Sequence, residues 1–100
     1  MKIRFLPEAD AELVSARLWY GQQRNGLDVD LMQRVDETLQ RISNAPYRFP
    51  YSYRRLRRAL VRQFPFAIYY EATKDEILVI AIFHQRRNPQ HLTTRLKRRG

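Results

Sequence analysis

The chain contains no cysteine, and only three of its 100 residues are glycine. Without cysteine it can form neither a disulfide framework nor a cysteine-based zinc site. This fits a reducing compartment, and we expect a cytoplasmic location. Three glycines are too few for a glycine-rich phosphate-binding loop, and metal-ligand spacings are missing too, so we expect neither a cofactor nor a metal.

Long hydrophobic runs are missing as well. The longest apolar run, Ile77 to Phe83, has seven residues, whereas a membrane-spanning helix needs about twenty. The first residues, Met1 to Phe5, are not followed by a long apolar stretch, so a signal peptide is not expected. We therefore predict that the protein has no membrane partner.

Acidic residues are scarce in the second half of the chain. Residues 51–100 contain twelve basic and three acidic side chains, whereas residues 1–50 contain seven of each. Ten of those twelve basic residues are arginine, whose planar fork of donors matches phosphate and carboxylate oxygens. The second half should therefore attract a polyanion or an acidic protein.

The length of 100 residues and an apolar content of 44% favour one folded domain over residues 1–100, with a basic tail from about residue 90 to 100. Lys2 to Phe5 alternates as a half-buried strand does. Pro7 then starts a helix that we extend to about Arg24. A second helix follows after a short break and ends before Pro46, which predicts an antiparallel helical hairpin. Its apolar residues recur at helical spacing: Leu31, Val35, Leu39 and Ile42.

The segment from Tyr47 to Tyr53 contains Pro50 and is predicted to be a loop. Three strands should follow, over residues 56–62, 66–70 and 77–83. The predicted fold class is α+β: an N-terminal strand, a two-helix antiparallel hairpin and three antiparallel strands, with room for a short C-terminal helix. The four strands would form one mainly antiparallel sheet.

The strand from Ile77 to Phe83 is apolar on both faces, which is typical of a central strand that is covered on both sides. The hairpin can cover one face of the sheet. The other face could be covered by the tail or by a separate protein. The tail is short and basic, and Leu92 and Leu96 are its only large aliphatic residues. We therefore expect a partner to cover that face.

Five groups of residues occur in a fixed order over about residues 3 to 89. They are Phe5-Leu6-Pro7-Glu8-Ala9, Trp19-Tyr20, Ile42 with Pro46 and Pro50, Phe64-Pro65-Phe66, and Val79 to His84 followed by Arg87 and Pro89. Together they resemble the RelE/ParE superfamily of type II toxin–antitoxin toxins, most closely its ParE-like, plasmid-stabilisation branch. A tryptophan often found shortly after the last motif is replaced here by Gln90-His91-Leu92.

The resemblance implies a toxin that inhibits DNA gyrase without enzymatic activity of its own. A cognate antitoxin with an acidic amphipathic segment would neutralise it in a hetero-oligomer. The enzymatic alternative is a RelE-like, ribosome-dependent endoribonuclease that cuts messenger RNA. A non-toxic nucleic-acid-binding module and an inactive toxin relic are further alternatives.

Candidate site residues follow from charge and chemistry. Partner binding is assigned to Arg54, Arg55, Arg57, Arg58, Arg62 and Arg87, four of which (Arg57, Arg58, Arg62 and Arg87) would pair with antitoxin carboxylates. For the nuclease alternative, His84 would act as the base, and Arg62, Arg86 and Arg87 would hold the phosphate. His84 also fits a structural role, as a hydrogen-bonding residue at the rim of the sheet.

Overall fold

A computed structural model describes residues 1–98; Arg99 and Gly100, the last residues of the predicted basic tail, lie outside it. The elements, in chain order, are β1 (Lys2–Phe5), α1 (Pro7–Gln23), α2 (Leu27–Asn44), β2 (Tyr51–Tyr53), β3 (Leu56–Leu60), β4 (Phe66–Ala72), β5 (Glu76–His84), a 3-10 turn (Pro89–Leu92) and α3 (Thr93–Arg98). The predicted α+β class, the helical hairpin and the short C-terminal helix are confirmed.

The strands form one sheet in the order β1-β5-β4-β3-β2, in which β1 runs parallel to β5 and the other neighbours are antiparallel. The sheet therefore has five strands, and the prediction of four was wrong. The missed strand, β2, lies in the segment predicted to be a loop. It has only three residues, which is too short for an alternating pattern, and Pro50 precedes it.

A β-bulge shapes the central strand β5. Tyr69 pairs with Ala81 and Tyr70 pairs with Val79, so Ile80 is the extra residue. Because of this bulge, Ile80 and Ala81 both belong to the core on the sheet face away from the hairpin. Ile82, the next residue, returns to the core under the helices.

The first core lies between the sheet and the hairpin. Helix α1 begins with Pro7, and Gly26, at φ 93°, joins α1 to α2 in a backbone conformation that suits glycine. Val35 and Ile42 of α2 are fully buried, as the helical spacing predicted.

The second core lies on the opposite face, and the chain's own C-terminal segment covers it. Leu92 is fully buried and Leu96 is 5% exposed, both packed with the apolar residues of β4 and β5. Tyr53 and Thr93 share a hydrogen bond of 2.6 Å that ties α3 to β2. The expectation that a partner covers an open face was therefore wrong.

Arginines explain why two leucines are enough to close this face. The guanidinium of Arg87 lies 4.0 Å from the ring centroid of Phe83, and that of Arg95 lies 5.2 Å from it. Arginine can cover apolar surface with its stem while its cation contacts an aromatic face. Part of the basic charge in the second half is thus structural.

Candidate partner-binding surface

Arg95 and Glu12 hold the C-terminal segment against α1. Two donors of Arg95 reach the Glu12 carboxylate at 2.6 and 3.0 Å, and one of them also donates to the Ile80 carbonyl at 3.0 Å. The same carboxylate accepts a hydrogen bond from the backbone N–H of Ile82 at 3.1 Å. Both side chains of the pair are mostly buried, at 12% and 17% exposure. Glu12 was not predicted as important because its partner is 83 residues away.

The predicted arginine cluster around β3 is divided between the two faces of the sheet. Arg57 lies on the hairpin side, where it donates to the carbonyls of Tyr47 and Phe49 at 3.1 and 2.7 Å and lies 4.1 Å from the Tyr51 ring centroid. Arg58 lies on the other side, 5.9 Å from the ring centroid of Tyr69. Arg57 thereby fixes the proline-containing loop, while Arg58 is available for another role.

Two other predicted arginines lie in the turn between β2 and β3. Arg54 has a positive φ of 53° and lies 5.3 Å from the Tyr53 ring centroid. The hydrogen bond to Thr93, followed by that to Arg54, lowers the pKa of the Tyr53 phenol. Arg55 forms an ion pair with Glu71 on β4. Both arginines are exposed to solvent.

Arg58 and Arg62 meet at a notch at the outer edge of β3, which we call the β3 edge notch. It has a volume of about 1080 Å³, and its lining includes Arg41, Tyr51, Arg58, Leu60, Arg62 and Gln85. Among residues 1–98, no acidic side chain lines it. Arg41 comes from the last turn of α2, so a sequence pattern within β3 could not have added it to the site.

Arg58, one of the residues that line this notch, has a donor without an acceptor. Its Nε is buried and has no hydrogen-bond partner, and within residues 1–98 no other buried side-chain nitrogen or oxygen lacks one. A buried donor without an acceptor is costly, so this nitrogen is an unusual feature of the fold.

His84 lies in a different place, at the groove between α1 and the end of β5. This groove has a volume of about 490 Å³, and Glu12, Ser15, Phe66, His84 and Arg87 contribute to its lining. His84 Nδ1 accepts a hydrogen bond of 3.1 Å from the backbone N–H of Arg86. The imidazole therefore supports the turn after β5.

Arg87, the second cation of this groove, already has contacts within the chain. Its Nη1 lies 3.4 Å from a Glu12 oxygen and its Nε donates to His91 Nδ1 at 3.2 Å. Arg86 is exposed on the same turn. Arg62 lines the β3 edge notch and not this groove, so the four residues of the nuclease alternative do not line one pocket.

The helical hairpin exposes apolar side chains that the sequence patterns did not reveal. Val14, Leu18 and Trp19 on α1 are 44%, 65% and 55% exposed, and Val29 on α2 is 55% exposed. Helix α1 has apolar residues on all sides, so its spacing marks a buried side but gives no sign that the outer side stays uncovered.

Two kinds of site are not found in the described part of the chain. Within residues 1–98, no group of three or more His, Cys, Asp or Glu side chains could hold a metal ion. None of the helices described there is both long and apolar enough to cross a bilayer.

The family described as "ParE toxin of type II toxin-antitoxin system, parDE" matches residues 3–89. The chain belongs to the ParE toxin family. A solved structure titled "Chromosomal ParDE TA system from P. aeruginosa" is similar, with 17% sequence identity and a TM-score of 0.71 over 84% of this chain and 95% of that one. At this identity the likeness shows a shared fold. No curated protein matches the chain.

Membership in the ParE family confirms the predicted RelE/ParE resemblance and its ParE-like branch. The matched range, residues 3–89, contains the β3 edge notch and His84. It ends at Pro89, just before the residues that close the second core. The Leu92 and Leu96 contacts are therefore a property of this chain's own tail and are not part of the match.

Proposed function

We propose that this ParE-family protein inhibits DNA gyrase and that a cognate antitoxin with an acidic segment neutralises it in a hetero-oligomer. The observation that carries the proposal is the family match, which extends over residues 3–89. The net charge of +9 supports the second part, because a basic toxin and an acidic segment attract each other at long range.

The arrangement of the candidate residues supports this proposal over RNA cleavage. Cleavage through a 2′-hydroxyl needs a base, an acid and phosphate-binding cations around one phosphate. His84 and Arg62 line two separate pockets. Arg87 is held by Glu12 and His91. Without movement of the turn after β5, these groups do not surround a common phosphate.

Two parallel reactions with the purified protein test the target. In the first, gyrase supercoils a relaxed plasmid in the presence of ATP; in the second, a reconstituted translation system reads a defined transcript. We expect supercoiling to stop while the transcript stays intact. Transcript cleavage that depends on ribosomes and is lost in His84→Ala, with gyrase unaffected, would replace the proposal with the nuclease alternative.

Co-expression tests neutralisation. Induction of the protein alone should arrest growth, and co-induction of an adjacent short reading frame that encodes an acidic protein should restore growth. The two proteins should then co-purify. Growth arrest that no adjacent frame relieves would contradict the proposed pairing while leaving the gyrase result valid.

A further inference from the structure

The segment from Tyr47 to Tyr53 carries an aromatic residue at every second position, and the fold uses these four residues differently. Phe49 packs on the core under the hairpin, and the Tyr53 hydroxyl shares a hydrogen bond with Thr93 on the other face. Both therefore help to hold the fold together. Tyr47 and Tyr51, in contrast, are 57% and 62% exposed. Of the four rings, these two are accessible to a ligand.

Arg57 holds the two exposed rings on one surface. Its guanidinium carbon lies 4.1 Å from the Tyr51 ring centroid and 5.5 Å from the Tyr47 ring centroid. Arg57 is itself fixed by its hydrogen bonds to the carbonyls of Tyr47 and Phe49. The Tyr47 hydroxyl also donates to the Thr73 carbonyl at 3.3 Å. Because both rings already have fixed neighbours, little conformational entropy would be lost when a ligand binds them.

Arginines without carboxylate partners surround these rings. Residues 38–70 contain seven arginines and no acidic residue. Arg41 and Arg48 lie 5.4 and 5.5 Å from the Phe49 ring centroid. Both are exposed, and neither forms an ion pair within residues 1–98. We call this surface the tyrosine–arginine face; its residues are Arg41, Tyr47, Arg48, Tyr51 and Arg57.

Exposed rings and cations on one surface suit a strand of unpaired nucleotides. Every nucleobase has a flat face that can stack on an aromatic side chain, and arginine binds the phosphates between the bases. In a duplex, each base face is covered by the next base pair, so exposed rings favour a single strand. An acidic peptide could use the arginines, but its carboxylates have no flat face to place on the two tyrosines.

We propose that the tyrosine–arginine face binds single-stranded DNA, with bases stacked on Tyr47 and Tyr51 and the neighbouring phosphates on Arg41 and Arg48. The choice of DNA rests on the proposed function, because gyrase acts on DNA and because the candidate nuclease residues do not line one pocket. This contact would hold the toxin on the substrate of its target, in addition to any contact with the enzyme.

The probe is a fluorescein-labelled oligodeoxyuridylate of about twelve nucleotides, titrated with the full chain and followed by fluorescence anisotropy. The titration is made at about 0.2 M salt, which weakens contacts that depend on phosphate charge alone. A matched abasic oligonucleotide keeps the phosphates but has no bases, and we expect it to bind at least about tenfold more weakly. A duplex of the probe with oligodeoxyadenylate hides the base faces and should also bind more weakly.

Variants of Tyr51 test stacking without changing charge. Tyr51→Leu removes the ring and should weaken binding about fivefold or more, whereas Tyr51→Phe keeps the ring and should bind like the parent protein. Trp19→Leu is the matched control, because it removes an aromatic residue that is 55% exposed on the hairpin. It should change the affinity little.

The salt dependence tests the phosphate contacts. For single strands, the logarithm of the affinity falls with the logarithm of the salt concentration by about 0.7 for each phosphate contact. Arg48→Met should therefore make this slope shallower by about 0.7. Arg17→Met loses the same charge beside Val14 and Leu18 on the hairpin and should keep the slope of the parent protein.

Equal affinity for the abasic oligonucleotide, or unchanged affinity in both Tyr47→Leu and Tyr51→Leu, would overturn the proposal, because charge alone would then explain binding. Tighter binding of the duplex would overturn it as well. Tighter binding of an oligouridylate, which differs from the probe in its 2′-hydroxyl groups, would overturn it in favour of RNA, and tighter binding of a polyglutamate of similar charge would overturn it in favour of an acidic protein.

If Tyr51→Leu fails to fold, Tyr47→Leu and the abasic oligonucleotide still decide. The outcome is also separate from that of the gyrase reaction. A protein that inhibits gyrase but does not bind the probe would reject this face alone and leave the proposed function standing. A protein that binds the probe but does not inhibit gyrase would reject the proposed function and leave the face.

Discussion

Leu92→Ala should destabilise the protein strongly, because Leu92 is fully buried in the second core. Replacing a buried leucine with alanine removes favourable transfer free energy and leaves a cavity, at a cost of about 2–5 kcal/mol. A domain of this size is stable by about 5–15 kcal/mol in total. With a loss of about 3 kcal/mol, the melting temperature should fall by roughly 12–24 °C.

Urea unfolding followed by far-UV circular dichroism measures this change, provided that the dependence on urea concentration keeps its slope. The matched control is Leu18→Ala on α1, where the side chain is 65% exposed. It should alter the free energy of unfolding by at most about 0.5 kcal/mol. If Leu92→Ala behaves like this control while the protein remains folded, the C-terminal segment does not seal the second face.

Three further changes test other parts of the structure. Ile80→Asp should prevent folding, because the fully buried site offers the carboxylate no established partner and burying it costs several kcal/mol. A normal circular dichroism spectrum and melting curve would contradict the placement of β5. Arg95→Met should lower the free energy of unfolding, measured by urea titration, by about 1–3 kcal/mol, since it leaves the mostly buried Glu12 carboxylate without its closest cation. A decrease below about 0.5 kcal/mol would show that this ion pair is not needed. Burial raises the pKa of Tyr70 to about 12 from 10.0. As the pH rises, the unfolded chain therefore loses this proton first, and about 3 kcal/mol of the free energy of unfolding should be lost between pH 10 and 12. Tyr70→Phe should remove that part of the pH dependence, and an unchanged profile would contradict it.

Helix α2 and the strands β4 and β5 could be predicted from the sequence because their patterns are local. The helical spacing of Leu31, Val35 and Ile42 marks one side of α2, and all three are buried. The unbroken apolar run of β5 correctly indicated a strand covered on both faces. Periodicity reports burial, but it does not report which segment provides the cover.

The elements that were missed depend on contacts between distant residues. The closing of the second core needs Arg95 against Glu12 and Thr93 against Tyr53, and no local pattern encodes such pairs. The tail looked too polar to cover a sheet face because its arginines were regarded only as solvated charge. Arg95 of the tail, together with Arg87 of the turn before it, covers Phe83.

Two of the arginines assigned to partner binding, Arg58 and Arg62, line the β3 edge notch, and their binding of a partner stays a prediction. The alternation of β3 implies that Arg57 and Arg58 point to opposite faces, and the structure shows Arg57 holding a loop while Arg58 lines the β3 edge notch. Arg41 reaches the notch from α2. The notch itself could not be foreseen, because it depends on the short β2 that the sequence did not reveal.

Closure of the second sheet face by the chain's own C-terminal segment is measured most directly by nuclear Overhauser effects in the free protein. The methyl groups of Leu92 and Leu96 should give strong cross-peaks to the apolar side chains of the second core, Phe83 among them. A folded protein with no such cross-peaks, and with a narrow-line, random-coil tail, would show that this face is open and waits for a partner.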